Sequence, residues 1–349
     1  MNLYAVLSDI HANYEALLKV EKDAREQARK EKAELRFVCL GDVVDYGPQP
    51  DECMAWVREH VDPNLFVCGN HDQDVVTDGP PQTIHSDYWP IHLWTRWKLA
   101  DEHKAFLVEH KEWKRPSPDG LADFTLFHGS LSGVGDYIKI EGTAETNMGQ
   151  LQTPYALFGH SHYQGCFCYE GEFKRGKWQT YFLQLTAPED YRKQTGPLRD
   201  SVFAKAAENN LWKPLPLNEW RPLPLMTQAL LNPGSVGQPR RHDSHKDPLS
   251  GVVPHDPRAA YLLLALNGDG PGQYQFRRVP YPVEKTVERL RRLRYPEEPE
   301  FKYAVIDQGR PSRNRDDPWE KLKYTQEHIH ELLPELIEKT LIPTLLQGW

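Results

Sequence analysis

The sequence predicts an α/β protein built on two β-sheets packed face to face. Three observations predict it: a β-α-β unit at the N-terminus, a series of short apolar strands in the second half, and polar glycine motifs placed where strands end. Leu3 to Ser8 runs apolar, Asn13 to Lys32 carries Ala16, Leu17, Val20 and Ala24 at helical spacing, and Leu35 to Leu40 is again a strand. Gln49 to His60 reads as a second helix and Leu65 to Cys68 as a short strand. Residues 83 to 112 read as helical and rich in Trp and His, a cap packed beside the sheet. Strand-like runs follow at Phe124 to Phe127, Tyr155 to Phe158, Gly165 to Tyr169, Thr227 to Leu231, Ala259 to Leu266 and Tyr274 to Val279. Residues 184 to 226 are rich in Pro and predict an extended insertion pinned by Trp212 and Trp220. The polar stretch 241 to 256, with His242, His245 and His255 at irregular spacing, reads as a solvated loop. From Trp319 to Leu346 a helix returns, with Leu332, Leu333, Leu336, Ile337, Leu341 and Leu345 on one face. That face is expected to dock on the body or to pair two copies into a homo-oligomer.

Composition narrows the function classes. The chain has 349 residues, with 42 Lys and Arg against 50 Asp and Glu, a formal charge of −8. Net acidity argues against duplex nucleic acid as a partner, because that binding neutralises many phosphates with basic side chains. Hydrophobic residues make up 39% and charged residues 26%, ordinary soluble usage that excludes a disordered chain. The longest apolar run, Ala259 to Leu266, is too short to span a bilayer, so no membrane association is expected. The first residues carry no basic leader, and the expected location is the cytoplasm. Cys39, Cys53, Cys68, Cys166 and Cys168 form no C-x-x-C pair, so neither a disulfide framework nor a zinc ribbon is expected; Cys39 and Cys68 read as small core residues, and Cys166 and Cys168 as structural rather than metal-binding.

The chemistry sits at strand ends. Asp9-x-His11, Gly41-Asp42-x-x-Asp45, Gly69-Asn70-His71-Asp72, His128-Gly129 and Gly159-His160-Ser161-His162 each lie where a strand gives way to a loop. Loops from several strands converge at that edge of an open α/β sheet, and ligands bind there. Carboxylates, an amide oxygen and imidazoles are competent ligands for borderline divalent ions. Seven such groups are more than one ion uses, and they fit two ions that share a carboxylate. Two ions suit phosphate chemistry: a bridging hydroxide is the nucleophile, and both ions draw charge off the phosphoryl oxygens. An imidazole is suited to protonate the leaving group near neutral pH, and His71, next to Asn70, is the candidate.

These motifs, in this order, resemble the calcineurin-like metallophosphoesterases. Asp9-Ile10-His11-Ala12-Asn13, Asp45-Tyr46-Gly47-Pro48, the segment Asn232 to Arg240 and Asp256-Pro257-Arg258-Ala259-Ala260-Tyr261 are similar to the bacterial and archaeal phosphodiesterase-like branch. The resemblance covers residues 1 to 165 and 227 to 295. It implies a four-layer αββα sandwich, with a metallophosphoesterase domain over 1 to 310 and a C-terminal helical extension over 311 to 349. It implies that Asp9, His11 and His162 hold the first metal, that Asn70, His128 and His160 hold the second, and that Asp42 bridges them. His71 becomes the general acid, and Asp45 matches the carboxylate that orients it. The ions implied are Mn, Fe or Zn, with Mn favoured.

One departure bears on substrate. The protein phosphatase branch has an Arg after the second Asp of Gly-Asp-x-x-Asp, and here that position is Tyr46. Loss of a guanidinium fork costs more for a dianionic monoester than for a singly charged diester. The expected substrate is therefore a small phosphodiester, nucleotide-derived or otherwise. Tyr46 is a candidate substrate contact, with Arg240 or Arg258 as substitute charges. Asn13 is another, although it sits where a helix begins and N-capping is the favoured reading. The alternatives are a phosphomonoesterase resembling the serine/threonine protein phosphatases, or a dinucleotide polyphosphate hydrolase. A non-catalytic scaffold is disfavoured because His71 is present.

Overall fold

The computed structural model describes residues 1–77, 81–139, 141–168, 179–182, 212–214, 216–224, 228–239, 257–266, 272–294 and 332–347. The N-terminal β-α-β unit forms as its periodicity predicts: β1 (Asn2–Leu7), α1 (Tyr14–Glu31) and β2 (Glu34–Cys39). Ala16, Leu17, Val20, Ala24 and Ala28 are the buried face of α1, and Asn13 caps its first turn by accepting the Ala16 N–H at 3.2 Å. Next come α2 (Pro50–His60), β3 (Val61–Phe66), α3 (Asn70–Val76), α4 (Trp89–Lys98) and α5 (Asp101–Glu109). The third strand thus ends where the sequence reading began it. Proline and polar residues at 62 to 64 hide its first half from a hydrophobicity pattern.

The second half supplies β4 (Lys114–Pro116), β5 (Phe124–Phe127), α6 (Glu141–Met148), β6 (Tyr155–Phe158), β7 (Gly165–Cys168), β8 (Gln179–Phe182), β9 (Trp212–Pro214), β10 (Arg221–Pro222), β11 (Ala229–Asn232), β12 (Ala259–Leu266) and β13 (Gln273–Val279). Two helices follow, α7 (Val283–Arg291) and α8 over residues 332–347, whose middle turn Ile337–Leu341 is a π-helix. Among the described residues one sheet runs β10-β13-β12-β1-β2-β3 and the other β4-β5-β6-β11-β7-β8-β9. The apolar run Ala259 to Leu266 is a strand buried between β1 and β13, not a spanning segment.

Strand periodicity assigns the layers. In the second sheet Leu126, Leu157, Cys166, Cys168 and Leu231 face the core shared with the first sheet, while Phe127, Ala156, Phe158, Phe167 and Leu230 face α6 with Ala144 and Met148. Helices α1 and α2 cover the other face of the first sheet. The result is a four-layer αββα sandwich, and all five cysteines lie buried within it. The C-terminal helix docks on the body: Leu333, Leu336, Ile337, Leu341 and Leu345 share a buried cluster with Trp89, Leu93 and Trp94 of α4 and with Val287 and Leu290 of α7. The loop 241 to 256, most of the insertion 184 to 226, and the division near residue 310 lie outside the described residues.

Candidate metal centre

Strands β1, β2 and β3 run parallel, as do β5, β6 and β11, so the C-terminal ends of both sets meet at one edge of the sandwich. Past the strand ends the ladder continues through the loops: Asp9 N donates to Gly41 O at 2.9 Å, His11 N to Asp42 O at 3.0 Å, and Gly159 N to His128 O at 2.8 Å. The backbone there is bent sharply. Asp9, His11, Asp42, Asp45, Tyr46, His160 and His162 all have positive φ, between 46° and 68°. Each such non-glycine residue costs on the order of 1–3 kcal/mol, and this concentration at one edge marks a functional constraint. Gly69 allows the loops to close on one another, since a Cβ there would lie 2.1 Å from Asp42 Oδ1.

The seven predicted ligands come together, each buried. Asp9, His11 and His162 form one group, and Asp42, His128 and His160 another, with ligand atoms in each lying within 4.8 Å of one another. His11 Nε2 and His162 Nε2 stand 3.1 Å apart, and His162 Nε2 is 3.3 Å from Asp9 Oδ1. Asp42 Oδ2 lies 3.2 Å from His128 Nε2 and 3.8 Å from His11 Nε2, between the two groups. Asn70 Oδ1 is 3.2 Å from His128 Nε2. Its amide is aimed by donation to Thr83 Oγ1 at 3.1 Å.

The tautomers follow from the backbone. His11 Nδ1 donates to Val44 O at 3.0 Å, His162 Nδ1 to Gln238 O at 2.8 Å, and His128 Nδ1 to Leu40 O at 2.6 Å. His160 is held through its other nitrogen, Nε2, which donates to Gly135 O at 3.0 Å. A carbonyl only accepts, so each of these contacts fixes where one ring proton sits. In the neutral rings, the Nε2 lone pairs of His11 and His162 therefore face each other beside Asp9 Oδ1, a buried oxygen that accepts no hydrogen bond. Acceptors crowded in this way need a cation among them, and mixed N and O donors fit a borderline divalent ion. The residues present thus fit the two ions that the motifs imply.

The electrostatics of His11 and His160 suit metal ligands, while His128 and Asp9 are shifted toward their protonated forms. Burial and the neighbouring His162 push His11 down to about 3, and burial with His128 holds His160 well below the usual imidazole range, so both keep lone pairs for a ligand. Burial would also lower His128, but Asp42 outweighs it and raises this imidazole to about 9. Burial would raise Asp42, yet His128, His71 and His11 hold it well below the carboxylate range. Asp9 moves the other way, raised by burial and by Asp42.

Beside this centre His71 Nδ1 donates to Asp45 Oδ2 at 2.8 Å, and His71 Nε2 lies 3.2 Å from the Tyr46 hydroxyl. The Tyr46 ring stands 4.7 Å from the rings of both His11 and His71. Burial would lower His71, but Asp42 and the hydrogen bond and charge of Asp45 outweigh it and hold the imidazole above its ordinary value.

Over residues 3–164 the chain matches the family described as calcineurin-like phosphoesterase. That match takes in the loops that carry Asp9, His11, Asp42, Asn70, His128, His160 and His162. A metallophosphoesterase from Sphaerobacter thermophilus is similar in structure, with 26% identity and a TM-score of 0.57 over 83% of this chain and 93% of that one. A hypothetical protein from Pyrococcus horikoshii OT3 shares the fold at 17% identity, with a TM-score of 0.53 over 83% of this chain and 92% of that one. An uncharacterized protein of Methanocaldococcus jannaschii is 36% identical over 107 residues, a match that spans 30% of this chain and 41% of that relative.

The remaining candidates separate. Asn13 is committed to the framework: besides capping α1 it donates to Gly237 O and to the Tyr281 hydroxyl, both at 3.1 Å, and accepts from Thr286 at 3.0 Å. Arg258 is half-buried just before β12, and its carbonyl accepts from Arg278 at 3.3 Å. Arg240 lies outside the described residues. Sequence reasoning missed three supports. Asp72 accepts the N–H groups of Val43 at 2.9 Å, Val44 at 3.2 Å and Gly69 at 3.1 Å, tying the Asp42 loop to the Asn70 turn. Asn232 donates to Gly159 O at 3.1 Å, and Ser235 Oγ to Asp9 O at 2.7 Å, so the Asn-Pro-Gly-Ser turn fastens two ligand loops. The third, His92, reaches Asp45 from α4. A lone histidine in an aromatic helix carries no signal of that contact.

Proposed function

We propose that this chain is a binuclear metal-dependent phosphoesterase that acts on small phosphodiesters, nucleotide-derived ones among them, in the cytoplasm. The observation that carries the reading is the pair of buried Asp/His groups, with Asp42 Oδ2 of the second group lying 3.8 Å from His11 Nε2 of the first. When bound, two divalent ions, with Mn the favoured identity, supply an activated water and draw charge off the phosphoryl oxygens. The chain's own residues do the rest. Asp9, His11 and His162 would hold one ion and Asn70, His128 and His160 the other, with Asp42 common to both sets. The backbone carbonyls of Val44, Gln238, Leu40 and Gly135 fix the rings so that the ligand nitrogens point inward. His71, anchored by Asp45, is placed to protonate the leaving oxygen. Burial of the whole constellation excludes bulk water and strengthens each of these interactions.

Tyr46 supports the preference for diesters. It offers a neutral hydroxyl where a guanidinium would pair with a phosphate dianion, so a substrate carrying one negative charge loses less. The test compares hydrolysis of bis(p-nitrophenyl) phosphate and p-nitrophenyl phosphate by the Mn²⁺-loaded protein at one pH. A diester preference is expected. A monoester preference overturns the Tyr46 argument and moves the reading to a phosphatase.

A further inference from the structure

Asp45 serves two imidazoles through one oxygen. Its Oδ2 accepts from His71 Nδ1 at 2.8 Å and from His92 Nδ1 at 2.6 Å, while its Oδ1 is buried and accepts no hydrogen bond. His92 is fully buried on α4. Its other nitrogen, Nε2, lies 3.4 Å from Arg96 Nη2 one turn along, and Arg96 in turn donates to Asp74 O at 2.7 Å. A guanidinium only donates, so Nε2 of His92 accepts and Nδ1 carries the proton given to Asp45. The ring is thus held at both ends, and its N–H fixes the carboxylate oxygen that in turn holds His71.

The fold invests in this arrangement. Trp89, Leu93 and Trp94 anchor α4 in the buried cluster completed by α7 and α8, and Trp94 Nε1 donates to Arg294 O at 3.3 Å. The helix that carries His92 is therefore clamped against the last two described helices. Among the described residues no hydrogen bond reaches Oδ1, so none orients the Asp45 carboxyl group from its far side. Without the His92 donor this carboxylate can turn about its Cβ–Cγ bond, and His71 loses a fixed partner.

We propose that His92 is a positioning residue for His71, acting through the Asp45 oxygen that both imidazoles share. The proposal rests on the hydrolase reading above, and it extends the catalytic apparatus to a helix outside the ligand loops. A residue that acts only through His71 leaves a specific signature. Its loss should matter most where the leaving group needs a proton, and it should add nothing once His71 is gone.

The experiment uses His92→Ala, His92→Asn, His71→Ala and the double variant His71→Ala with His92→Ala, all in the full chain loaded with Mn²⁺. Two diesters are compared: bis(p-nitrophenyl) phosphate, with a good leaving group, and diphenyl phosphate, with a poorer one. His92→Ala should lower kcat on diphenyl phosphate by roughly tenfold or more, with a smaller effect on the nitrophenyl ester and KM unchanged. His92→Asn, which keeps a donor, should recover part of the loss. The double variant should be no slower than His71→Ala. Equal losses on both esters, or a further loss in the double variant, overturn the proposal. A readout independent of turnover is the proton spectrum of ¹⁵N-histidine-labelled protein, in which His71 and His92 should each give a downfield Nδ1–H signal. In His92→Ala and His92→Asn the His71 signal should move, and an unmoved signal overturns the proposal. If the wild-type protein hydrolyses neither ester, the hydrolase reading fails, and the shared-oxygen geometry is decided by the spectrum alone.

Discussion

At the residue scale, the site is a set of acceptors that the backbone has aimed at one another. His71→Ala should lower turnover of a diester with a poor leaving group by a factor on the order of 10², and by less for a nitrophenyl leaving group, measured as kcat on the two esters. Asp42→Ala removes the one carboxylate that, among the described residues, lies near histidines of both groups, so metal content after gel filtration should fall below that of the wild-type chain. The candidate ligands that the structure brings together were legible in the sequence because the chemistry demands Asp, Asn and His, and those residues sit beside glycines at strand ends. Their supports were not legible. Asp72 carried no signal beyond its motif, and His92 lies among tryptophans that read as packing. What makes His92 matter is a tertiary contact to a residue 47 positions away. Asn13 was legible in its bland reading, since a residue opening an amphipathic helix is an N-cap before it is anything else.

At the element scale, β1, β2, β5, β6, β7, β11, β12, β13, α1 and α2 followed from periodicity, whereas the first half of β3 was hidden by Pro63 and its polar neighbours, and β4, β8, β9, β10, α3, α6 and α7 were not foreseen. Helix α8 shows what the extension does: its apolar face completes the cluster that holds α4. Leu341 is fully buried in that cluster, so Leu341→Ala should cost about 2–5 kcal/mol and lower the melting temperature. Loss of the clamp on α4 should also lower turnover on diphenyl phosphate more than metal content. The packing of α1 against β12 and β13 gives a pH test away from the metals. Burial would raise Asp23, but hydrogen bonds from Arg277 at 2.6 Å and Tyr261 at 2.6 Å outweigh it and hold its carboxyl below the ordinary value. A carboxyl depressed in the folded state stabilises the protein above its unfolded pKa, and that contribution is lost as pH falls through the folded pKa. Asp23→Asn should therefore lower the melting temperature at pH 7, and the deficit should shrink when both proteins are compared near pH 3.

At the scale of the whole molecule, two sheets bring their strand ends to one edge, and buried Asp and His side chains that could hold metal converge there from both sheets. The sandwich was legible from the strand-rich second half and from the family resemblance, but the placement of α8 on the body rather than on a second copy was open in the sequence. An amphipathic face says that it must be covered and not by what. The arrangement couples metal to stability, because ions that bind only the folded chain stabilise it by about 2.7 kcal/mol at a hundredfold excess over Kd. Chelation should accordingly lower the melting temperature, and Mn²⁺ should restore it. The central claim is that two ions occupy this edge and carry the hydrolysis. The most direct measurement is metal content by mass spectrometry on the Mn²⁺-loaded, gel-filtered chain, with bis(p-nitrophenyl) phosphate hydrolysis followed before and after chelation. The account predicts two equivalents per chain and hydrolysis that disappears on chelation and returns with Mn²⁺. Hydrolysis that persists in metal-stripped protein, or a chain that retains a single equivalent at full activity, would contradict it.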